Sequence, residues 1–279
     1  MKIFTSKTEL AKALQSLKQK DKTVGFVPTM GALHLGHMTL VKIAAELTDV
    51  VIISIFVNPT QFNNPADLDR YPRPIEKDIS LLKASKCDIL FLPEIGEMYT
   101  ENEKWSLDLG YLENILEGKF RPGHYQGVTQ IVKKLLDIIN PDYMFLGQKD
   151  FQQVLVLERM AKMLHLPTEL VMCPIVREDD GLALSSRNIH LSLTERKQAL
   201  ALSEVLFYAK QNFEKLTIEE LKLDVLHKLN ASTGINPDYF EICDAQTLLP
   251  LESKETTSIV ALVAATVGET RLIDNIILK

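Results

Sequence analysis

Short apolar runs alternate with longer helix-like segments over the first two thirds of this chain, and this alternation restricts the fold more than any other feature. Four runs fit buried strands: TVGFVP (23–28), VVIISIFV (50–57), DILFLP (88–93) and DYMFLG (142–147). Five segments have helical spacing: SKTELAKALQSLKQK, MTLVKIAAEL, PIEKDISLLKAS, VTQIVKKLLDII and FQQVLVLERMAKMLH. Apolar strands that alternate with helices are typical of a parallel sheet covered on both faces. We therefore predict a doubly wound, Rossmann-like α/β domain over residues 1–175.

The pattern changes after CPIVREDDG. Two helix-like segments follow, LTERKQALALSEVLFYAKQNF and IEELKLDVLHKLN, and then three strand-like runs, YFEICD, SIVALVAATV and RLIDNIIL. Proline, aspartate and glycine cluster at 174–183, which is typical of a boundary. We predict a smaller α+β domain over residues 176–279.

Charge and composition bear on the classes of partner. The formal net charge is −6 and the pI is about 5.6, which argues against nucleic-acid binding. The longest apolar run, 50–57, is too short to span a bilayer, and the start of the chain lacks a signal-peptide core. The three cysteines are widely spaced and form no metal or disulfide pattern. We predict a cytoplasmic protein without a nucleic-acid or membrane partner.

The stretch PTMGALHLGH (28–37) has three competing interpretations: a metal pair, an ordinary loop or a phosphate site. His34 and His37 are three residues apart, whereas zinc-binding histidines on a helix are usually four apart. Gly31 and Gly36 remove side chains where a backbone would approach an anion, and the following helix offers unpaired N–H groups. These features favour the phosphate site, with both imidazoles facing the phosphates.

Two further stretches begin where predicted strands end. VNPTQF (57–62) places Asn58 and Gln61 at a strand exit, and side-chain amides suit a hydroxyl or a carboxylate. FLGQKDFQQ (145–153) places Lys149 and Asp150 at a predicted helix start. Taken alone, each stretch could be a proline turn or a solvated helix start.

LALSSRN (182–188) lies at the predicted domain boundary. Its two serine hydroxyls and Arg187 could surround a triphosphate, although alone the stretch could be a polar linker.

In this order, PTMGALHLGH, VNPTQF, GQKDFQQ and VREDDGLALSSRN resemble the pantothenate synthetase (pantoate–β-alanine ligase) family, within the nucleotidylyltransferase superfamily marked by His-x-Gly-His. The resemblance covers about residues 24–190. Gln148, Phe151 and Leu184 stand where many or some relatives have Glu, Tyr and Met. None of these departures removes a reacting group.

The resemblance implies specific site residues. His37 would be a proton donor, His34 would hold phosphate oxygens, and Lys149 and Arg187 would complete the catalytic set. ATP would contact Met30, Gly31, Ala32, Leu33, His34, Leu35, Gly36, His37, Gly147, Gln148, Lys149, Asp150, Val176, Leu184, Ser185, Ser186 and Arg187. Gln61 would bind pantoate and β-alanine, and Gln153 would bind pantoate. Asn58 is a further substrate-binding candidate.

The implied reaction belongs to pantothenate biosynthesis. ATP would activate pantoate as an adenylate, and β-alanine would then displace AMP. Mg²⁺ would accompany ATP without an organic cofactor, and the enzyme would be a homodimer. The sequence identifies no metal ligands. Residues 62–74 are a lid candidate, and Arg121 and His124 either contact the site or form a turn before a helix.

Three other functions compete with this one. A nucleotidylyltransferase would transfer AMP to a phosphorylated small molecule. A tRNA synthetase would need a longer chain and a tRNA-binding surface. A non-catalytic module would bind the nucleotide without turnover.

Overall fold

The computed structural model describes residues 1–18, 20–101 and 103–279, which divide into two compact units. The first contains Met1–Gly147 and Gln152–Cys173, and the second contains Gln148–Phe151 and Pro174–Lys279. The domain ranges expected from the sequence stay predictions. The short segment Gln148–Phe151 groups with the second unit, although it lies within the predicted first domain.

The first unit is built around a six-stranded parallel sheet in the order β1-β4-β3-β2-β5-β6. Its strands are β1 (Lys2–Phe4), β2 (Val24–Thr29), β3 (Val50–Ile55), β4 (Ile89–Phe91), β5 (Tyr143–Gly147) and β6 (Glu169–Cys173). Its helices are α1 (Lys7–Lys18), α2 (Leu35–Leu47), α3 (Pro65–Arg70), α4 (Ile75–Lys83), α5 (Ile95–Met98), α6 (Leu116–Phe120), α7 (His124–Ile139) and α8 (Phe151–Met163), whose first residue belongs to the second unit.

Helices cover both faces of this sheet because its central strands are apolar on both sides. On one face, Val50 and Ile52 of β3 pack with side chains of α1, α7 and α8. On the other face, Val51 and Ile53 pack with side chains of α2 and α4. Alternate residues of one strand thus reach two separate apolar layers. This arrangement confirms the predicted doubly wound α/β fold.

Several predicted elements differ from the structure. The edge strands β1 and β6 were not predicted, because they are partly exposed and lack a continuous apolar run. The helix α2 begins at Leu35, so Gly36 and His37 lie inside its first turn rather than before it. The helix α7 begins at His124, four residues before the predicted segment. The predicted loop 62–74 contains the helix α3.

The strand order defines where a ligand would bind in the first unit. From β2 the chain passes to β3 on one side, and it later returns to place β5 on the other side. In open α/β sheets, ligands bind outside the carboxyl ends of the strands at such a reversal. The carboxyl ends of β2 and β5 are therefore the expected site, and the His34–His37 stretch directly follows β2.

The second unit contains helices packed on an antiparallel sheet, which confirms the smaller α+β part of the fold. The helices are α9 (Leu193–Asn212) and α10 (Ile218–Ala231), and the strands are β7 (Ile235–Asp244), β8 (Ile259–Val267) and β9 (Thr270–Ile277). Apolar side chains of both helices and all three strands form one core. Among the described residues, no helix is both long enough and apolar enough to span a membrane.

Candidate active site

The two histidines of the first unit lie together at the start of α2. His34 is the N-cap residue, with an extended backbone, and its N–H donates to His37 Nδ1 at 3.3 Å. The two ring centroids are 4.0 Å apart. Because His37 Nδ1 accepts a hydrogen bond, we assign the proton of its neutral form to Nε2. The pair therefore combines a ring N–H donor with the positive end of a helix dipole.

A buried carboxylate holds the loop that leads to these histidines. Gly31 and Ala32 have positive φ angles of 84° and 50°, and the N–H groups of Ala32 and Leu33 donate to Asp78 at 2.8 Å each. Asp78 is fully buried, and this burial raises the pKa of its carboxyl group. These two N–H groups therefore bind an internal carboxyl group, and contact of Ala32 and Leu33 with ATP stays a prediction.

Sequence reasoning missed Asp78, although a signal was present. Ile75, Ile79 and Leu82 mark the apolar face of α4, and Asp78 falls on the same helical face. An acidic residue at a core position needs hydrogen-bond partners, which the loop supplies.

The VNPTQF stretch forms a polar network around Gln61. Asn58 Nδ2 donates to Gln61 Oε1 and to the carbonyl of Gly127, both at 3.1 Å, and Tyr99 Oη donates to Asn58 Oδ1 at 2.6 Å. Gln61 Nε2 donates to Met30 Sδ at 3.0 Å. Asn58 is only 1% exposed. The structure thus brings Gln61 and Met30 together, and we infer that Asn58 orients the Gln61 amide. Substrate contact by Asn58 stays a prediction.

His124 and Arg121 support the backbone of the same turn. Arg121 Nη1 lies 3.1 Å from His124 Nε2, and His124 Nδ1 lies 2.8 Å from the carbonyl oxygen of Gln61. Because a guanidinium can only donate, Nε2 must accept, and Nδ1–H donates to Gln61. His124 is buried as the first residue of α7. His124 thus contacts the predicted substrate glutamine directly, and Arg121 contacts His124.

The two glutamines at the start of α8 lie in different environments. Gln152 is 2% exposed and hydrogen-bonds to backbone groups of Leu112, Ile115 and Glu117. Gln153, the predicted pantoate contact, is half-buried. The first glutamine is therefore structural, which leaves the second as the candidate.

The second unit contains the other predicted nucleotide residues. Gln148–Asp150 forms a short 3-10 turn, and Lys149 Nζ lies 3.5 Å from Asp150 Oδ1. The helix α8 begins at Phe151, where the predicted helical segment begins, and Lys149 lies in the 3-10 turn directly before it. A Cβ atom at Gly147, the last residue of β5 in the first unit, would meet no atom within 4 Å beyond its chain neighbours.

The LSSR loop, residues 184–187, belongs to the same unit and is held by hydrogen bonds. Leu184 N donates to the Val176 carbonyl at 3.0 Å, which places these two predicted contacts side by side. The Ser185 hydroxyl accepts from the Arg187 N–H at 3.3 Å and caps the 3-10 turn Ser186–His190. Among the described residues, no group of three or more His, Cys, Asp or Glu side chains could hold a metal ion.

Comparisons with known proteins agree with this geometry. The family model for pantoate-beta-alanine ligase matches residues 2–277. Pantothenate synthetases of Thermotoga petrophila and Bacteroides fragilis are 46% and 42% identical, with 100% and 99% of this chain and 100% and 98% of those proteins covered.

Solved structures give the same result. Pantothenate synthetase from Thermus thermophilus is 40% identical with a TM-score of 0.94, over 100% of this chain and 99% of that one. The ligase from Francisella tularensis, solved with beta-gamma ATP and beta-alanine, is 37% identical with a TM-score of 0.83, over 100% and 98%. The resemblance predicted from four short stretches is confirmed: this chain belongs to the pantoate–β-alanine ligase family.

Proposed function

We propose that the protein is an acid–amino-acid ligase that condenses pantoate with β-alanine and converts ATP into AMP and pyrophosphate. The observation that carries this proposal is the family match over nearly the whole chain, with the His34–His37 pair at the reversal point of the sheet. A Francisella tularensis relative binds beta-gamma ATP and beta-alanine, which supports the same two ligands here.

In the first step, a pantoate carboxylate oxygen attacks the α-phosphorus of ATP. A P–O bond forms, the bond to pyrophosphate breaks, and pantoyl-adenylate results. His37 Nε2–H and the start of α2 would donate to phosphate oxygens as charge moves onto pyrophosphate. His34, Lys149 and Arg187 would stabilise the same charge.

In the second step, the β-alanine amine attacks the activated carbonyl carbon. The new C–N bond replaces the C–O bond to AMP, and the amine loses a proton. Gln61 Nε2, whose orientation Asn58 fixes, would donate to pantoate and later to β-alanine. Gln153 would hold pantoate, so that the two reacting groups meet in a fixed geometry.

ATP would enter as its magnesium complex, so Mg²⁺ comes with the substrate. Octahedral Mg²⁺ commonly keeps water ligands and uses substrate phosphates together with one or two protein ligands, and a dedicated protein cage is not required. The segment 62–74 would close over the adenylate and exclude water. Its helix α3 is capped by Asn64, and Arg73 donates to the Leu68 and Tyr71 carbonyls, so the segment would move as one piece. A homodimer and a cytoplasmic location complete the proposal.

The direct test is product identification. The purified protein is incubated with Mg·ATP, pantoate and β-alanine, and the products are separated and then identified and quantified by mass spectrometry. Equal amounts of pantothenate and AMP are expected, and neither should form when pantoate is omitted. Transfer of AMP to a phosphorylated acceptor, with AMP retained in the product, would instead identify a nucleotidylyltransferase.

A further inference from the structure

Asn275, near the end of β9, fixes the main chain of the turn that carries Lys149. Its Nδ2 donates to the carbonyl oxygens of Gln148 at 2.9 Å and Lys149 at 3.0 Å, and its Oδ1 accepts from Gln148 Nε2 at 3.1 Å. Asn275 is only 2% exposed. Two of the three hydrogen bonds of this buried amide therefore hold the peptide groups on both sides of Lys149, and the third holds the Gln148 side chain.

An ion pair between the half-buried Arg177 and the buried Asp274 connects β9 to the second predicted nucleotide-binding segment of this unit. Arg177 Nη1 and Nη2 donate to the two oxygens of Asp274 at 2.6 and 3.0 Å, a bidentate contact. The same guanidinium donates to the carbonyls of Gly181 at 3.0 Å and Asn275 at 3.2 Å, and it lies over the Phe207 ring. The Asp274 side chain is 3% exposed. One guanidinium thus binds both β9 and the turn around Gly181.

The turn around Gly181 is the base of the LSSR loop. Arg177 and Ala183 form an antiparallel bridge, and Leu184 N donates to the Val176 carbonyl. The contacts of Arg177 therefore fix where the loop begins. Lys149 and Arg187 lie in segments that are far apart in sequence but anchored to adjacent residues of one strand.

We propose that Asn275, with the Arg177–Asp274 ion pair, positions Lys149 and the LSSR loop as one preassembled phosphate-binding group. The inference rests on the proposed function. Two cations that stabilise the same polyphosphate act best when neither has to be ordered during the reaction. Asn275 is a positioning residue, because it acts through the main chain of Lys149.

The chemistry of position 275 explains why an asparagine suits it. A carbonyl oxygen needs a donor, and only an amide of this length supplies two donors and one acceptor to three neighbouring groups. A carboxylate at the same place would still accept from Gln148 Nε2. It would have no proton to donate to the carbonyl oxygens of Gln148 and Lys149. The variant Asn275→Asp therefore changes the hydrogen bonding with almost no change in volume.

The experiment compares the wild-type protein with Asn275→Asp and with Asn275→Ser, which keeps one donor and adds no charge. Asn236→Asp is the matched control, since Asn236 is an exposed asparagine on β7 of the same unit. For each variant, kcat and KM are measured for ATP, pantoate and β-alanine. The midpoint of thermal unfolding is measured separately and shows whether the variant folds. If Asn275→Asp does not fold, Asn275→Ser carries the same comparison.

We expect Asn275→Asp to lower kcat/KM for ATP by roughly tenfold to a hundredfold, because a small displacement of charged groups has effects of this size. KM for pantoate and the constants of Asn236→Asp should stay near the wild-type values. Only the protonated form of the introduced carboxyl can donate. Burial beside Asp274 would favour that form more than the nearby Arg177 and Lys149 oppose it, as it does for Asp274 itself, whose pKa is raised. Activity relative to wild type should therefore recover partly between about pH 8.5 and about pH 6.

The wild-type protein separates the two possible failures. If it forms no pantothenate, the proposed function fails, and this inference fails with it. If the wild type is active but the folded Asn275 variants have wild-type constants for ATP, the positioning role is wrong. An equal rise in KM for ATP and for pantoate, without pH-dependent recovery, would indicate a merely structural role and would also overturn the inference.

Discussion

His37 combines a defined tautomer with a position in the first turn of a helix. Its Nδ1 accepts from the His34 backbone, so its Nε2–H can donate to a phosphate oxygen. We expect His37→Ala to lower the rate of pantoate-dependent pyrophosphate release by about 10²–10³, the usual effect of removing such a donor.

The matched control for His37→Ala is His227→Ala, which removes an exposed histidine of α10. Rapid-quench measurement of pyrophosphate gives the rate for both variants. Near wild-type release by folded His37→Ala would contradict the role given to His37.

Asp78 holds the loop that leads to His34 and His37, although it lies about 45 residues away in sequence. Replacement by Asn would put an amide N–H₂ group against one of the two loop N–H groups, so one hydrogen bond is lost. We expect Asp78→Asn to raise KM for ATP about tenfold and to lower the free energy of unfolding by about 1–3 kcal/mol. Steady-state kinetics and urea unfolding measure the two effects.

Glu76→Gln serves as the control for Asp78, because it removes a charge from the exposed side of the same helix. An unchanged KM for ATP in Asp78→Asn would show that the loop conformation does not depend on this carboxylate.

The site residues that were predicted from the sequence lie in recognisable short stretches, whereas those that were not predicted act through partners distant in sequence. His34, His37, Gln61, Lys149 and Arg187 lie in short stretches whose residue types indicate phosphate or substrate chemistry. Asp78 and Asn275 act on partners 45 and 126 positions away, respectively. Their local sequence does not reveal those partners, because only the folded chain brings them together.

Among the helices, α7 packs unusually closely on the turn that carries Gln61. A Cβ atom at Gly127 would lie 2.6 Å from Gln61 N and closer still to the Thr60 carbonyl. We expect Gly127→Ala to force the helix away from the turn, to cost about 1–3 kcal/mol of stability and to raise KM for pantoate. Unfolding curves and kinetics provide the measurement.

Gly96→Ala is the control for this packing, since a Cβ atom at Gly96 meets no atom within 4 Å. If Gly127→Ala matched Gly96→Ala in both stability and KM, the close packing would have no functional consequence.

The turn after β7 depends on one carboxylate. Asp244 accepts from Thr256, Gln246 and Thr247, and these hydrogen bonds, that of Thr256 most of all, lower the pKa of its carboxyl group below the ordinary 3.8. A lowered pKa stabilises the fold above the ordinary value, and this contribution disappears as the pH falls through the folded value. We expect Asp244→Asn to lose about 1–2 kcal/mol at about pH 7.

The loss for Asp244→Asn should shrink as the pH falls below 3.8. Urea unfolding at several pH values measures this, with the exposed Glu252→Gln as the control. A loss that stays constant with pH would mean that the carboxylate charge does not stabilise the turn.

The central strands were predictable because they are apolar on both faces, whereas the edge strands β1 and β6 are partly exposed and lack that pattern. The helix starts were less predictable. Glycine or histidine occupies the first turns of α2 (Gly36, His37) and α7 (His124), so the apolar periodicity begins later than the helix.

For the whole molecule, the sequence predicted the fold class and the family, and both are confirmed. The assignment of Gln148–Phe151 to the second unit was not predictable from order along the chain. This segment follows β5 directly, and its partners on β9 come from the far end of the sequence.

The central claim is that one protein first activates pantoate with ATP and then transfers it to β-alanine. The most direct test is a rapid-quench time course with Mg·ATP and pantoate, followed by addition of β-alanine. The account predicts a burst of about one equivalent of pyrophosphate per active site without β-alanine, and then sustained release of AMP and pantothenate. No pyrophosphate before β-alanine is added, or none with pantoate at any stage, would contradict the two-step mechanism.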